Sequence, residues 1–146
     1  MLISYRRPLR NEMEDWASKV NELIPELIRE HKKIHDIAVA NAGVYMTDKR
    51  AYDGFEALVE DHMYKEEAWL YPFMVEQKIF DDRSEEIASQ HHEITSILTG
   101  LESADSRAFA GKFTELVQLL QAHHSGEEGH VFPRVLDFIG APRRNR

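Results

Sequence analysis

One short pattern occurs twice in this chain and dictates its architecture. Residues 62–72 read HMYKEEAWLYP, and residues 123–133 read HHSGEEGHVFP. Aligned on their prolines, both give His, three residues, Glu-Glu, and then a bulky apolar residue before Pro. With an offset of 61, His62, Glu66, Glu67, Tyr71 and Pro72 fall on His123, Glu127, Glu128, Phe132 and Pro133. With an offset of 60, Leu27, His31, Ile34 and Ile37 fall on Ile87, His91, Ile94 and Ile97. Apolar residues recur every three or four positions throughout, which is helical spacing, and no alternating β-branched run competes for strand. A two-helix hairpin written twice is a four-helix bundle, and short links predict up-down-up-down packing.

Breakers fall at Ala42-Gly43, Asp53-Gly54, Asp81-Asp82 and from Gly100 to Asp105. Between them the pattern predicts an N-terminal segment over 11–23 and helices over 24–42, 51–78, 83–101 and 105–138. Pro25 either starts the first bundle helix, where its missing N–H costs nothing, or kinks a longer one. Asp48, Ser84 and Asp105 are the expected N-caps, and Gly100 and Gly140 the expected stops. The expected organisation is an N-terminal arm or short helix (1–23), one bundle domain (24–140) and a basic tail (141–146).

Composition narrows the function. At 146 residues the chain is long enough for one real core. A net charge of −8 argues against nucleic acid as a partner, and the basic ends YRRPLR and PRRNR read as solvated tails. Apolar runs are too short to span a membrane, and MLISYRRPLR lacks the apolar stretch and cleavage site of a signal peptide. There is no cysteine, which excludes disulfides, Cys-ligated zinc and iron–sulfur clusters. A cytoplasmic location is the expectation. Histidine is the unusual residue: all eight lie between positions 31 and 130.

Helical geometry decides which histidines face inward. The expected stripes are Ile24, Leu27, His31, His35 and Ala38 in the first helix, and Phe55, Leu58, His62, Glu66, Trp69 and Phe73 in the second. The third carries Ile87, His91, Ile94, Leu98 and Leu101, and the fourth Phe113, Leu116, Leu120, His123, Glu127 and His130. Adjacent helical residues point about 100° apart, so one of each His-His pair should face the interior. The stripes and the repeat both select His91 over His92 and His123 over His124, leaving His92 and His124 solvated or behind the ligands. The intervals from His31 to His62, His91 and His123 are 31, 29 and 32 residues. Half such an interval, less a turn, is about 20 Å of helix. The four inward histidines should therefore meet in one layer at mid-bundle.

Two inward carboxylates with no Lys or Arg opposite cost several kcal/mol each unless a cation balances them. Imidazole with carboxylate oxygen suits zinc and the middle transition metals. Four His and two Glu exceed the needs of one tetrahedral zinc and fit two metals with open positions. A lone inward histidine is more often a hydrogen-bonded core residue than a ligand, and a lone His-x-x-x-Glu more often a surface pair. Two copies at matching heights, with inward histidines on both other helices, reverse that balance.

His62-x-x-x-Glu66-Glu67 leading to Tyr71-Pro72, its echo at His123–Pro133, and the segments Glu30-His31 and Gln90-His91-His92-Glu93 resemble the hemerythrin-like, or HHE cation-binding, family over residues 24–138. The resemblance implies a left-handed four-helix bundle holding two iron ions, oxo- or hydroxo-bridged, with zinc or manganese as substitutes. His31, His62, His91 and His123 would be imidazole ligands, and Glu66 and Glu127 bridging carboxylates. The family's oxygen carriers use a fifth histidine from a His-x-x-x-His pair on the third helix, where this chain has Thr95. His35 and His130 compete for that fifth role. The implied function is binding of a small ligand such as O2 or NO, as carrier or sensor. The alternatives are an enzyme acting on peroxide or nitric oxide, with His35, His130 or Tyr64 as proton donor, or iron storage and donation. The state expected is monomer or homodimer, with Trp69, Phe73, Leu98 and Leu120 as pocket walls.

Overall fold

The computed structural model describes residues 10–140, so the two ends of the chain, including the expected basic tail at 141–146, lie outside the described residues. The described residues are helical and contain no strand. Helix α1 spans Arg10–Thr47, α2 Lys49–Lys65, α3 Tyr71–Glu76, α4 Asp82–Glu102, α5 Ser106–Gly126 and α6 Phe132–Gly140. A π-helical turn, Glu66–Leu70, joins α2 to α3, and a second, Glu127–Val131, joins α5 to α6. The result is four rods. None is long and apolar enough to cross a membrane.

Several boundaries differ from the expected ones. Helix α1 runs unbroken through Pro25 and through Ala42-Gly43. An interior proline costs about 3 kcal/mol. It is offset here because Ile24 and Leu27 beside it are completely buried, at about 1.5–3 kcal/mol for each such side chain. Asp48 and Asp105 cap α2 and α5, their carboxylates accepting from Ala51 N at 3.0 Å and Ala108 N at 2.8 Å. For α4 the cap is Asp81, not Ser84. The Asp81 carboxylate accepts from the backbone N–H of Ser84 at 2.9 Å, which places Ser84 inside the first turn. Gly100 lies within α4 rather than ending it.

Two apolar clusters fill the interior. One contains Ile34, Tyr45, Tyr52, Phe55, Leu98, Phe113 and Leu120, and the other Val20, Leu27, Leu70, Phe73, Ile87, Phe132 and Val135. On three rods the histidine lies between the residues given to one cluster and those given to the other, and on the second His62 lies beside Met63, the last residue of the first cluster there. The polar layer is thus sandwiched between two dry cores.

The π turns correct two of the expected stripes. Tyr71 N–H donates to Glu66 O and Phe132 N–H to Glu127 O, each reaching back five residues instead of four. One extra residue per turn moves everything after it by one position on the helix surface. Trp69, expected inside, is 41% exposed, while Leu70 and Tyr71 are fully buried. His130, also expected inside, is partly exposed, while Val131 is fully buried. Pro72 and Pro133 supply the cause. Each lacks an N–H, and its ring crowds the carbonyl four residues back, which the widened turn relieves. The indole of Trp16 donates to Trp69 O at 2.9 Å and ties the start of α1 to the first π turn.

Candidate metal centre

Each of the four rods delivers one imidazole to the layer between the clusters. His31 comes from α1, His62 from α2, His91 from α4 and His123 from α5, and all four are buried. Glu66 and Glu127, each opening a π turn one helical turn after His62 and His123, are completely buried as well. Gly126 permits the approach of α5 to α4, since a Cβ there would stand 3.0 Å from Ile87.

The outer nitrogen of each ring is held by a different partner. His31 Nδ1 lies 2.7 Å from Glu128 Oε2, His62 Nδ1 2.8 Å from Glu30 Oε1, and His91 Nδ1 2.6 Å from Glu67 Oε2. His123 Nδ1 lies 2.9 Å from Gln90 Oε1. These acceptors require an N–H at Nδ1, so each ring presents the lone pair of Nε2 to the interior. The repeat explains the doubled glutamate. The first Glu of each pair enters the centre, and the second holds a histidine of the opposite hairpin.

The two buried carboxylates divide their oxygens. Glu66 Oε2 is 3.2 Å from His62 Nε2 and 3.9 Å from His31 Nε2, whereas its Oε1 is 2.9 Å from His91 Nε2 and 3.8 Å from His123 Nε2. Glu127 places Oε1 3.0 Å from His31 Nε2 and Oε2 3.3 Å from His123 Nε2. Two groups of donors result: His31, His62, His124 and Glu127, and Glu66, His91, His123 and Glu127. In each the ligand atoms lie within 4.8 Å of one another, and either group could hold a metal ion.

Three observations test whether a cation fits. His91 Nε2 and His123 Nε2 stand 3.1 Å apart, where two lone pairs repel unless a proton or a cation lies between them. His31 Nε2, His62 Nε2, Glu66 Oε2 and Glu127 Oε1 are buried and, close as they lie to one another, none makes a hydrogen bond, a costly state for polar atoms unless something else satisfies them. The donors are imidazole nitrogen and carboxylate oxygen, the set that suits iron, zinc and manganese.

Electrostatics agree. Burial alone would push His31 down, but Glu127 and Glu66 outweigh it and lift the ring to about 10. The same contest takes His123 to about 10 through Glu127 and Glu66, and His91 to about 9 through Glu66 and Glu67. Burial would raise Glu66, yet the surrounding histidines hold it well below the usual carboxylate range. The carboxylates draw positive charge into the layer, from protons or from metal.

His124 is a residue that the helical stripes misplaced. It is 7% exposed and stacks on His31, with ring centroids 3.7 Å apart and planes 9° apart. Burial and the neighbouring His31 and His62 push it down to about 2, so it is a neutral imidazole. The buried face of a bundle helix is wider than 100° because it meets two neighbours. His123 faces His91 on α4 and His124 faces His31 on α1, so both are inside. His92 is exposed, as expected.

His35 and His130, the expected rivals for a fifth imidazole, lie outside both groups. Gln121 Nε2 is 3.2 Å from His35 Nδ1, between α5 and α1. His130 Nε2 is 3.0 Å from both carboxylate oxygens of Asp81, because the second π turn has carried it off the inner face. Tyr64, an expected proton donor, is 66% exposed. The phenol at the centre is Tyr71 instead, donating to Glu127 Oε2 at 2.5 Å. Burial, then Glu127 and Glu66, push that phenol well above its ordinary value, so it stays a donor. Of the expected pocket walls, Phe73, Leu98 and Leu120 are buried and Trp69 is not.

No curated protein and no solved structure matches the chain. The model of the hemerythrin HHE cation-binding domain matches residues 18–135, a span that holds every histidine and both inner carboxylates. With four-fifths of its length matched and its histidines and glutamates gathered as a cation site requires, the chain belongs to the hemerythrin HHE cation-binding family.

Proposed function

We propose that this is a non-haem di-iron protein that binds a small ligand such as O2 or NO, as a carrier or sensor. The division of the carboxylate oxygens carries the reading: Glu66 and Glu127 each offer one oxygen to each half of the layer. That arrangement serves two cations sharing two carboxylates, and a single tetrahedral ion has no use for it. In this reading His31 and His62 would hold one iron, His91 and His123 would hold the other, and Glu66 and Glu127 would serve both. Zinc or manganese would substitute with the same donors. The pair of irons, when bound, supplies a redox-active centre with room for a small ligand.

The chain's own residues supply the rest. The hydrogen bonds at Nδ1 fix each ring's tautomer and aim, so little reorganisation accompanies metal binding. The apolar clusters on either side keep water out and make separation of charge costly there. We read the rods as running alternately up and down, since successive rods meet the two clusters in opposite order.

The test is iron content together with the visible spectrum in air. Two irons per chain, with bands that bleach on reduction and return with O2, support ligand binding. A colourless zinc-loaded protein that cannot be loaded with iron contradicts it. One observation favours a second reading, an enzyme acting on peroxide or nitric oxide: the Tyr71 phenol gives the centre a proton donor. Steady consumption of peroxide that slows in Tyr71→Phe would select that reading.

A further inference from the structure

His124 differs from the other four central imidazoles in how it is held. Each of those four has its outer nitrogen fixed by Glu128, Glu30, Glu67 or Gln90. The contacts of the His124 ring are with other rings, a parallel stack on His31, an edge contact with His62 at 5.4 Å and a tilted one with His123 at 5.7 Å. A stack restrains the distance between two rings, but no hydrogen bond among the described residues fixes where the ring nitrogens of His124 point.

The other side of His124 faces a cavity. Ile34, His35, Ala38, Val117, Leu120, Gln121 and His124 enclose a space of about 10 Å³ between α1 and α5, room for one water-sized occupant. Its lining is mainly apolar, and the His35–Gln121 contact lies at its partly exposed outer edge. The repeat explains why the space is on this side. Sixty residues after Ala38 stands Leu98, and sixty-one before His124 stands Met63, both buried. In the opposite half, larger apolar side chains occupy the positions that Ala38 and His124 take here.

We propose that His124 is the exchangeable donor of the centre, and that a small neutral molecule reaches the metals through the cavity between α1 and α5. This rests on the di-iron reading and adds to it a route and a yielding residue. The four fixed imidazoles and two carboxylates hold the metals. His124 either donates beside His31 and His62 or turns toward the cavity and gives up its place. The size and apolar lining restrict the entrant to a diatomic or comparably small uncharged molecule. The gate is the hydrogen bond between His35 and Gln121.

The test uses the iron-loaded full chain, its metal content and nitric oxide as the probe. His124→Leu keeps the bulk of the side chain and removes the nitrogen. It should retain two irons per chain and bind nitric oxide about tenfold faster or tighter, read by stopped-flow absorbance. Val117→Trp, which fills the cavity, should also retain two irons but slow association about tenfold. Loss of an iron in His124→Leu would make His124 a fixed ligand and overturn the proposal. So would nitric oxide kinetics unchanged in both variants. A wild-type chain holding fewer than two irons overturns the di-iron reading and this inference with it. Two irons with unaltered kinetics in the variants overturn this inference alone.

Discussion

The phenol of Tyr71 donates to Oε2 of Glu127 across the bundle, at 2.5 Å and with both side chains fully buried. Its counterpart in the second copy of the repeat is Phe132, so Glu66 receives no equivalent bond. The doubled sequence therefore builds a centre whose two carboxylates are not equivalent. Tyr71→Phe removes one oxygen and leaves the ring, so little packing changes. A buried hydrogen bond to a charged group contributes about 1.5–3 kcal/mol, and the metal-free variant should lose stability of that order in denaturant unfolding. An unchanged midpoint would show that the contact contributes nothing.

The carboxylates behind the histidines should tune affinity without setting the number of metals. Glu128 holds His31 and Glu67 holds His91. Glu128→Ala or Glu67→Ala should weaken metal binding about 10–100-fold, as loss of such orienting partners commonly does. Competition with a chelator of known affinity measures this. Equal affinity in both variants would mean that the rings are aimed by packing alone.

Away from the centre, Glu56 makes a pH prediction. It is 7% exposed, and burial, then Glu102, Glu60 and Asp53, push it up to about 7. The folded value lies above the ordinary 4.5, so the fold retains the proton that the unfolded chain releases. Its stabilising effect is fully present below pH 4.5 and is lost as the pH rises through 7. Glu56→Gln should match the wild type in melting temperature near pH 4 and exceed it at pH 8. A variant no more stable at pH 8 would place the charge of Glu56 in water.

Much of this arrangement was legible in the sequence, for a physical reason. Period-3.6 spacing and the offsets of 60 and 61 are properties of regular helices. They hold wherever the helix is regular: His62 and His123 precede the π turns of their rods, and His31 and His91 lie on rods α1 and α4, which have none. Legibility failed after those turns. A constant 3.6 puts Trp69 and His130 inward, and the wider turns at Glu66–Leu70 and Glu127–Val131 break that period. The signal was present, since Pro72 and Pro133 sit at the same place in both copies and forbid a regular ladder there. His124 was missed for another reason. A helix that touches two neighbours buries two adjacent residues, and spacing alone gives no width to the buried face. Of the partners at Nδ1, Glu67 and Glu128 were marked by the repeat but their role was not, and Glu30 and Gln90 look like any surface polar residue beside a histidine.

The bridging carboxylates give the most direct test. Metal content per chain should be measured after iron loading for the wild type, Glu66→Ala and Glu127→Ala, with His92→Ala as an exposed control. Two irons are predicted in the wild type and the control, and at most one in either glutamate variant. Two irons retained after removal of either glutamate, or fewer than two in the wild type, would contradict a paired centre held between the four rods.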